Sequence, residues 1–442
     1  EANGTANEDA WRSISLRHAL ERTSIAVAGL AMAASGHAQS SVTLFGVLDA
    51  SISYYEANSA FATGAMPAIK QSQWALATGA YNGGRLGFRA TEDLGGGLSA
   101  GIWLEAGINN DTGAGLSSGG LAFNRRSTVS LTGRMGEVRL GRDYAPTYWN
   151  DFIFDPFGNV GVGASAISAL GGSSSGTFLR GAVAGAAANL GLNANYVRVS
   201  NTVGYFLPAK LGGFYGQATY GFPEQIDYSP ATATPPDTPF GGTQKSRTGR
   251  YVGGRFGYAQ GPVDLAIAYG NSTVDDRYYA GVTTDLQTTN IGASYDFGVV
   301  KLFGEYSKLR LDPDVSNPGS LVLPPTSANF DGYLLGVNIP VGVGVIRAAY
   351  SRISGTIKNQ LVGAIVQAQV PDPQADKLSL GYVHNLSRRT ALYATVAYVK
   401  NRNGLGLGVG GSPAYANAIN SGTAGYLPDT ALGYDFGIRH SF

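Results

Sequence analysis

Leu432-Gly-Tyr-Asp-Phe-Gly-Ile-Arg-His-Ser-Phe442 is the stretch that decides the fold, because its side chains alternate strictly and end on an aromatic residue. In an extended strand, alternate side chains lie on opposite faces, so Tyr434, Phe436 and Ile438 share one face. The opposite face carries Asp435, Gly437, Arg439 and Ser441. A soluble sheet would bury the apolar face in a core, whereas a transmembrane β-barrel turns it to lipid and keeps the charges in a wet lumen. The rest of the chain decides between these two folds.

Composition favours the barrel. The 442 residues include 64 Gly, 25 Tyr and 18 Phe, none is Cys, and 14% are charged, against about 25% in soluble domains. No window approaches the ~20 unbroken apolar residues of a spanning helix. A spanning β-strand needs only about 9–11 residues with every second one apolar, which fits a mean hydropathy of -0.02. Without disulfides, a closed hydrogen-bonded barrel supplies the stabilisation that an exported chain needs.

The first 38 residues differ from the rest. Three arginines precede the apolar run 25–34, and the small residues Gly36 and Ala38 follow it. This order predicts a secretory signal peptide over residues 1–38, cleaved so that the mature chain begins at Gln39. The alternative is a short amphipathic or buried helix.

From Ser41 onward, sixteen short alternating segments are separated by clusters of Gly, Pro, Asn and Asp. The first covers 42–55, the second 79–91, the fourth 121–133 and the last 431–442. An even number suits an antiparallel barrel whose two ends lie on one side of the membrane. Seven short connections alternate with long Gly-, Ser- and Pro-rich ones. Short turns on one rim and long loops on the other indicate an outer-membrane barrel over residues 39–442 and disfavour a β-sandwich.

The longest break, about 144–194, separates the fifth and sixth segments. So long a loop in a compact domain is functional or disordered. Its first part, Tyr144-Ala-Pro-Thr-Tyr-Trp-Asn-Asp-Phe-Ile-Phe-Asp-Pro-Phe-Gly158, is rich in aromatics, which favours packing over disorder. We therefore expect this loop to fold into the lumen; an ordinary surface loop is the alternative.

Six motifs in chain order resemble the general diffusion porins of beta-proteobacteria. They include Ser41-Val-Thr-Leu-Phe-Gly-Val-Leu-Asp49, Leu140-Gly-Arg-Asp-Tyr144 and Gly437-Ile-Arg-His-Ser-Phe442, together with 85–98, 125–131 and 386–393. The resemblance implies a sixteen-stranded barrel whose third extracellular loop narrows the channel between wall arginines and loop carboxylates. It also implies a homotrimer, contact with outer-membrane lipid and lipopolysaccharide, and delivery to the barrel-assembly machinery through a closing-strand signature that ends at Phe442.

Strand alternation selects the arginines that match the family's constriction. Leu86 and Phe88 are expected to face lipid, so that Arg85 and Arg89 face the lumen. By the same argument Arg126 points inward and Arg125 does not. In the sixth segment, Val197, Val199, Val203 and Tyr205 are expected outward and Arg198 inward. The predicted basic constriction residues are Arg85, Arg89, Arg126 and Arg198.

Carboxylates supply the opposite charge. Glu105 has lumen parity in the third segment, and Asp151 and Asp155 lie on the inward loop. Facing the arginines, they would create a transverse field that sorts ions by sign. For Asp155, which precedes Pro156, a loop-capping role is the alternative. Small residues predicted on the outer face, Gly204, Gly336 and Ala348, are candidates for contacts between barrels.

These patterns predict a passive, water-filled channel for ions and small hydrophilic solutes with a mild anion preference. A substrate-specific channel for sugars or organic acids is the alternative, with Tyr144, Tyr148 and Trp149 either as a stacking track or as loop anchors. A barrel enzyme or an adhesin is a weaker alternative, because His384 and His440 have no Ser or Asp partner that the sequence places nearby. No metal site and no cofactor are expected, and the net charge of +1 argues against nucleic-acid binding.

Overall fold

Antiparallel strands build most of the molecule. The computed structural model describes residues 41–61, 63–116, 120–171, 193–225, 247–277, 282–316, 325–362, 365–369, 372–411, 413, 415 and 426–442. The predicted signal peptide lies outside the described residues, and so does the part of the predicted loop from 172 to 192. None of the helices in the described part is both long enough and apolar enough to cross a membrane.

The described elements are β1 (Ser41–Phe61), β2 (Ile69–Thr78), β3 (Arg85–Gly95), β4 (Leu98–Asn109), β5 (Ala114–Gly115), β6 (Arg126–Gly133), β7 (Gly136–Tyr144), α1 (Pro146–Phe154), α2 (Ala166–Gly171), β8 (Arg198–Phe206), β9 (Phe214–Gly221), β10 (Tyr251–Gln260), β11 (Val263–Arg277), β12 (Val282–Asp296), β13 (Lys301–Val315), β14 (Ser327–Val341), β15 (Gly344–Val362), β16 (Ile365–Gln369), β17 (Gln374–Asn385), β18 (Thr390–Arg402) and β19 (Tyr426–Ser441).

Sixteen of these strands form a closed wall. Each pairs antiparallel with its neighbours, and β19 returns to pair with β1, with Ser53 opposite Asp435. The three additional strands β2, β5 and β16 lie beside β1, β4 and β15. Closure leaves the wall without an open edge, so backbone polar groups find partners within the barrel. The predicted sixteen-stranded antiparallel barrel is confirmed.

The two faces of the wall differ as the alternation predicts. In β19, Tyr434, Phe436 and Ile438 are 43%, 62% and 47% exposed, whereas Asp435 is 1% exposed. Aromatic and β-branched residues suit such a strand because they pack on a pleated surface. All seven predicted short turns occur on one rim, between β3 and β4, β6 and β7, β8 and β9, β10 and β11, β12 and β13, β14 and β15, and β17 and β18.

The second predicted strand, 79–91, is wrong in its first half. Residues 79–84 interrupt the sheet between β2 and β3. On either side of this break, β3 pairs with residues 41–47 of β1 and β2 pairs with residues 50–59. The Asp49 carboxylate accepts the backbone N–H groups of Tyr81 and Asn82. The Asp49 carboxylate therefore takes the place of a neighbouring strand as acceptor for these backbone N–H groups, and residues 79–84 lie along the inner face of the barrel.

Three positions also differ from the predicted orientations. A register shift between Gly141 and Asp143 and a positive φ of 58° at Asn201 interrupt the β7–β8 ladder. Such an irregularity changes side-chain direction locally, and Val199 is buried beside Ala145 instead of facing lipid. The predicted outward positions of Gly204 and Gly336 are wrong as well. Val203 and Tyr205 flank Gly204 and are exposed, and the missing side chain of Gly336 would meet the inward loop.

Candidate constriction site

The third extracellular loop enters the barrel through α1. Pro146 occupies its first turn, where a missing N–H removes no helical hydrogen bond. The buried face of α1 comprises Pro146, Thr147, Asn150, Asp151 and Phe154. Asn150 donates from Nδ2 to Asn290 Oδ1 at 3.1 Å, and Asn290 donates back to the carbonyl of Thr147 at 2.9 Å. This amide pair holds the helix against β12.

Asp151 and Asp155 tie the loop down and expose little to the channel. Asp151 is 1% exposed and accepts hydrogen bonds from Tyr196 Oη and Asn290 Nδ2, both at 2.5 Å. Asp155 is 4% exposed. We expected these two carboxylates to face the wall arginines across the channel. The structure does not place them there, because both are buried and accept hydrogen bonds from the loop and from the wall beneath it.

Asp155 organises the turn that follows α1. Its carboxylate accepts the backbone N–H groups of Phe157 at 2.9 Å and of Asn159 and Ser165 at 3.0 Å each. Burial raises the pKa of this carboxyl above its ordinary value, and the three N–H donors lower it in part. These contacts agree with the alternative role given above for Asp155, which is to cap the loop.

Further along, the loop packs on glycines of the inner wall. A Cβ on Gly292 would lie 1.9 Å from Cδ2 of Phe154, and a Cβ on Gly336 would lie 2.3 Å from Cγ of Pro156. Beyond them, Val162 donates its N–H to Asp435 Oδ2 at 2.8 Å, and Ala166 donates to Ser351 Oγ at 2.9 Å. We call the inner face of β10–β19 the loop-bearing wall, because the described part of the loop packs on it at these positions.

Arginines gather on the other side of the barrel, on and beside β3–β8, which we call the arginine wall. Glu105 of β4 is at the centre of this group. Its Oε1 lies 2.6 Å from Nε of Arg125 and 3.5 Å from Nη1 of Arg85. Arg125 also donates to the Tyr144 hydroxyl at 3.2 Å. The structure thus brings the predicted residues Arg85 and Glu105 together.

Arg198 completes this group. Its guanidinium lies 4.6 Å from the centre of the Tyr144 ring and donates to the Tyr144 hydroxyl at 3.1 Å. Arg125 was missed by the alternation argument, which assigned it to the outer face. The reason is that β6 begins at Arg126, so residue 125 lies in a bend where strand parity does not hold.

The predicted residues Arg126 and Arg89 lie around Trp103, one pleat closer to the short turns. The Arg126 guanidinium lies 4.4 Å from the Trp103 ring centre and its Nε is 3.5 Å from Asp143. Arg89 lies 5.7 Å from the same ring. Arg139, with inward parity on β7, pairs with both Glu137 and Asp143. Aromatic faces thus hold these guanidiniums in place.

Positive charge exceeds negative charge on the arginine wall. Its six arginines are Arg85, Arg89, Arg125, Arg126, Arg139 and Arg198, and the carboxylates paired with them are Glu105, Glu137 and Asp143. These groups leave an excess of three positive charges. Within the described residues, no carboxylate forms an ion pair with Arg89 or Arg198. Since arginine stays protonated at any working pH, this excess is permanent.

A model of the Gram-negative porin family matches residues 23–404. The chain belongs to this porin family. It is 34% identical over 426 residues to outer membrane porin protein 32 of Delftia acidovorans, which covers 96% of this chain and all of that protein. An outer membrane porin protein of Bordetella pertussis is 28% identical and covers 86% of this chain and 95% of its own length.

Among solved structures, the anion-selective porin from Comamonas acidovorans is 35% identical to this porin. It superposes with a TM-score of 0.66 over 91% of this chain and all of that one. Family, relatives and closed barrel together make the protein an outer-membrane porin that crosses the bilayer with its β-strands.

Proposed function

We propose that this porin is a passive, water-filled channel for ions and small hydrophilic solutes with a mild preference for anions. The observation that carries the proposal is that positive charge exceeds negative charge among the side chains that line the lumen. Six arginines lie on one wall with three carboxylates, while the loop carboxylates Asp151 and Asp155 are buried. Transport is downhill and involves no cofactor and no covalent step.

Electrostatics supports the sign of the preference. Screening acts over about 8 Å at physiological ionic strength, so fixed charges on the wall act on an ion that passes through a constriction of that scale. A patch with one sign of charge concentrates counter-ions and excludes co-ions. The three carboxylates weaken this potential without cancelling it, which is why the preference is mild.

The constriction residues belong to the same proposal. Arg85, Arg125 and Arg198 converge on Glu105 and Tyr144 beside the inward loop, and Arg126 and Arg89 extend the charge along Trp103. The printed description of the Comamonas acidovorans relative as anion-selective, at 35% identity, supports the same sign.

We extend the proposal to the assembly. The protein is a homotrimer that contacts lipid and lipopolysaccharide, and its closing strand, which ends at Phe442, is recognised by the barrel-assembly machinery. The outer face of β1 and β2 is apolar, with Val42, Ile52 and Trp74 74%, 58% and 72% exposed, and such a face suits contact with lipid and with a neighbouring barrel.

Reversal potential and single-channel conductance test the function directly. Refolded protein without residues 1–38 is inserted into a planar bilayer under a KCl gradient. We expect a reversal potential of the sign for chloride preference, with conductance steps in groups of three. A cation-favouring potential would refute the anion preference, single steps would refute the trimer, and silence would refute the open channel.

A further inference from the structure

The channel-facing side of α1 is aromatic. Thr147, Asn150, Asp151 and Phe154 are buried against the wall, whereas Phe152 is 39% exposed and Trp149 is half-buried. Residues 149 and 152 are three apart, which places them on one side of the helix. Their rings meet edge to face with centres 5.6 Å apart. Tyr148 is also half-buried, but it packs against Ala145 and Val199 with its ring centre 5.6 Å from that of Tyr196. These contacts make it a loop anchor, and its desolvation raises its pKa to about 12.

Tyr144 connects this aromatic surface to the arginines. Its ring centre is 5.0 Å from that of Trp149, and its hydroxyl accepts hydrogen bonds from both Arg125 and Arg198. Nε of Arg198 is buried and has no hydrogen-bond partner within the described residues. These groups therefore form a continuous strip, which runs from the guanidiniums of Arg125 and Arg198 through Tyr144 and Trp149 to the partly exposed ring of Phe152.

We propose that this strip binds aromatic carboxylates during their passage, which rests on the proposed anion-preferring channel and names a solute class for it. The carboxylate would pair with the guanidiniums of Arg198 and Arg125, since two parallel N–H donors match its two oxygens. The ring would stack on Trp149 and Phe152, because aromatic pairs in offset or edge-to-face geometry gain more than their buried area alone.

The same geometry disfavours two other classes of solute. A neutral sugar would stack on Trp149 but leave the guanidinium of Arg198 without an anion. A small anion such as acetate would satisfy the guanidinium but leave the Phe152 ring exposed to water. Only a solute with a negative end and a flat apolar end uses both parts of the strip.

Block of the chloride current tests the proposal. In KCl at fixed ionic strength, benzoate, cyclohexanecarboxylate and acetate are added separately, and the blocking constant of each is measured. We expect benzoate to block at a concentration about five- to tenfold lower than cyclohexanecarboxylate, which has the same charge but no aromatic face. Acetate should block least. Equal block by benzoate and cyclohexanecarboxylate would overturn the proposal.

Two variants separate the binding site from the channel. Trp149→Leu/Phe152→Leu keeps apolar side chains but removes the rings, and we expect it to lose the benzoate advantage. Because the arginines are kept, the KCl reversal potential should retain its chloride-favouring sign. Phe214→Leu, on the outer face of β9 and 47% exposed in the unmutated protein, is the matched control and should retain the advantage. If the double variant kept the advantage, the strip would not be the site. A cation-favouring wild-type reversal potential would instead reject the anion channel itself.

Discussion

The two inner walls of the barrel use charged groups in opposite ways. On the loop-bearing wall and beneath its loop, carboxylates such as Asp155 and Asp435 are at most 4% exposed and accept backbone N–H groups of the loop. On the arginine wall, the cations are held by aromatic rings and by fewer carboxylates, and Arg198 has no ion-pair partner within the described residues. Carboxylates of the first group position the loop, whereas on the arginine wall positive charge exceeds negative charge.

This division corrects the simpler picture of a channel crossed by opposite charges. A buried carboxylate that is satisfied by N–H donors contributes to loop position, because an unmet donor is costly inside the protein. It contributes little to the potential of the channel, since its charge is neutralised locally by oriented dipoles. The arginine wall, where arginines outnumber carboxylates, therefore contributes a net positive charge to the lumen.

The largest expected effect comes from removing the charge that converges on Tyr144. In Arg85→Gln/Arg125→Gln/Arg198→Gln, three positive charges are lost and Glu105 remains. We expect the reversal potential under a KCl gradient to fall from its chloride-favouring value to near zero, because the excess of three positive charges on the arginine wall disappears.

The matched control removes the same charge elsewhere. Arg310, Arg352 and Arg402 lie toward the long-loop ends of β13, β15 and β18, and their side chains are 52%, 45% and 48% exposed. Their replacement by Gln should change the reversal potential far less. Equal shifts in the two triple variants would mean that net charge, and not the arginine wall, sets the preference.

Asp155 tests the other wall. Asp155→Ala leaves three loop N–H groups without their acceptor, at a net cost of about 3 kcal/mol, which raises the population of released loop about a hundredfold. We expect a noisier current and a weaker anion preference, since a fully released loop swings out of the lumen and leaves a wider constriction, unlike a loop that shifts slightly off its wall. Single-channel recordings at constant voltage measure both quantities.

Asp155→Asn sharpens this test, because it removes the charge but keeps one acceptor oxygen. If the carboxylate faced the channel, its neutralisation would strengthen the anion preference without added noise. If it holds the loop, as the contacts to Phe157, Asn159 and Ser165 indicate, Asn should lie between wild type and Ala in noise and should not strengthen the preference. The two roles thus predict shifts of opposite sign.

The sequence predicted the barrel well because strand alternation is a local signal that recurs in every wall strand. The predicted sixteen strands and seven short turns follow from it, as does the exposed face of Phe436 and Ile438. The break at residues 79–84 could not be predicted, because it depends on Asp49, a residue about 30 positions away that supplies the hydrogen bonds.

The site was predicted in part. Arg85 and Glu105 follow from strand parity, but Arg125 lies just before its strand, where parity fails. Asp151 and Asp155 were assigned to the channel because they are acidic and lie on the loop. Their partners, Tyr196, Asn290 and the loop backbone, are fixed only by the folded loop. One sequence signal was available, namely the inward glycines of β12 and β14, which mark where another segment lies close to the wall.

The smallest expected effect tests that close approach. In Gly336→Ala, the new Cβ would lie 2.3 Å from Pro156 Cγ, so the loop must move slightly off its wall toward the channel, at a cost of about 1–3 kcal/mol for overpacking. We expect a small reduction in single-channel conductance with an unchanged sign of the reversal potential.

Gly304→Ala, on the neighbouring strand β13, is the control, because the nearest atom to its Cβ lies 3.9 Å away, on Leu335. A reduction for Gly304→Ala as large as that for Gly336→Ala would show that the strand, and not the loop contact, is what the methyl group disturbs. Because the loop narrows the channel from the wall opposite the arginines, even this methyl group should change pore width without changing which ion is preferred.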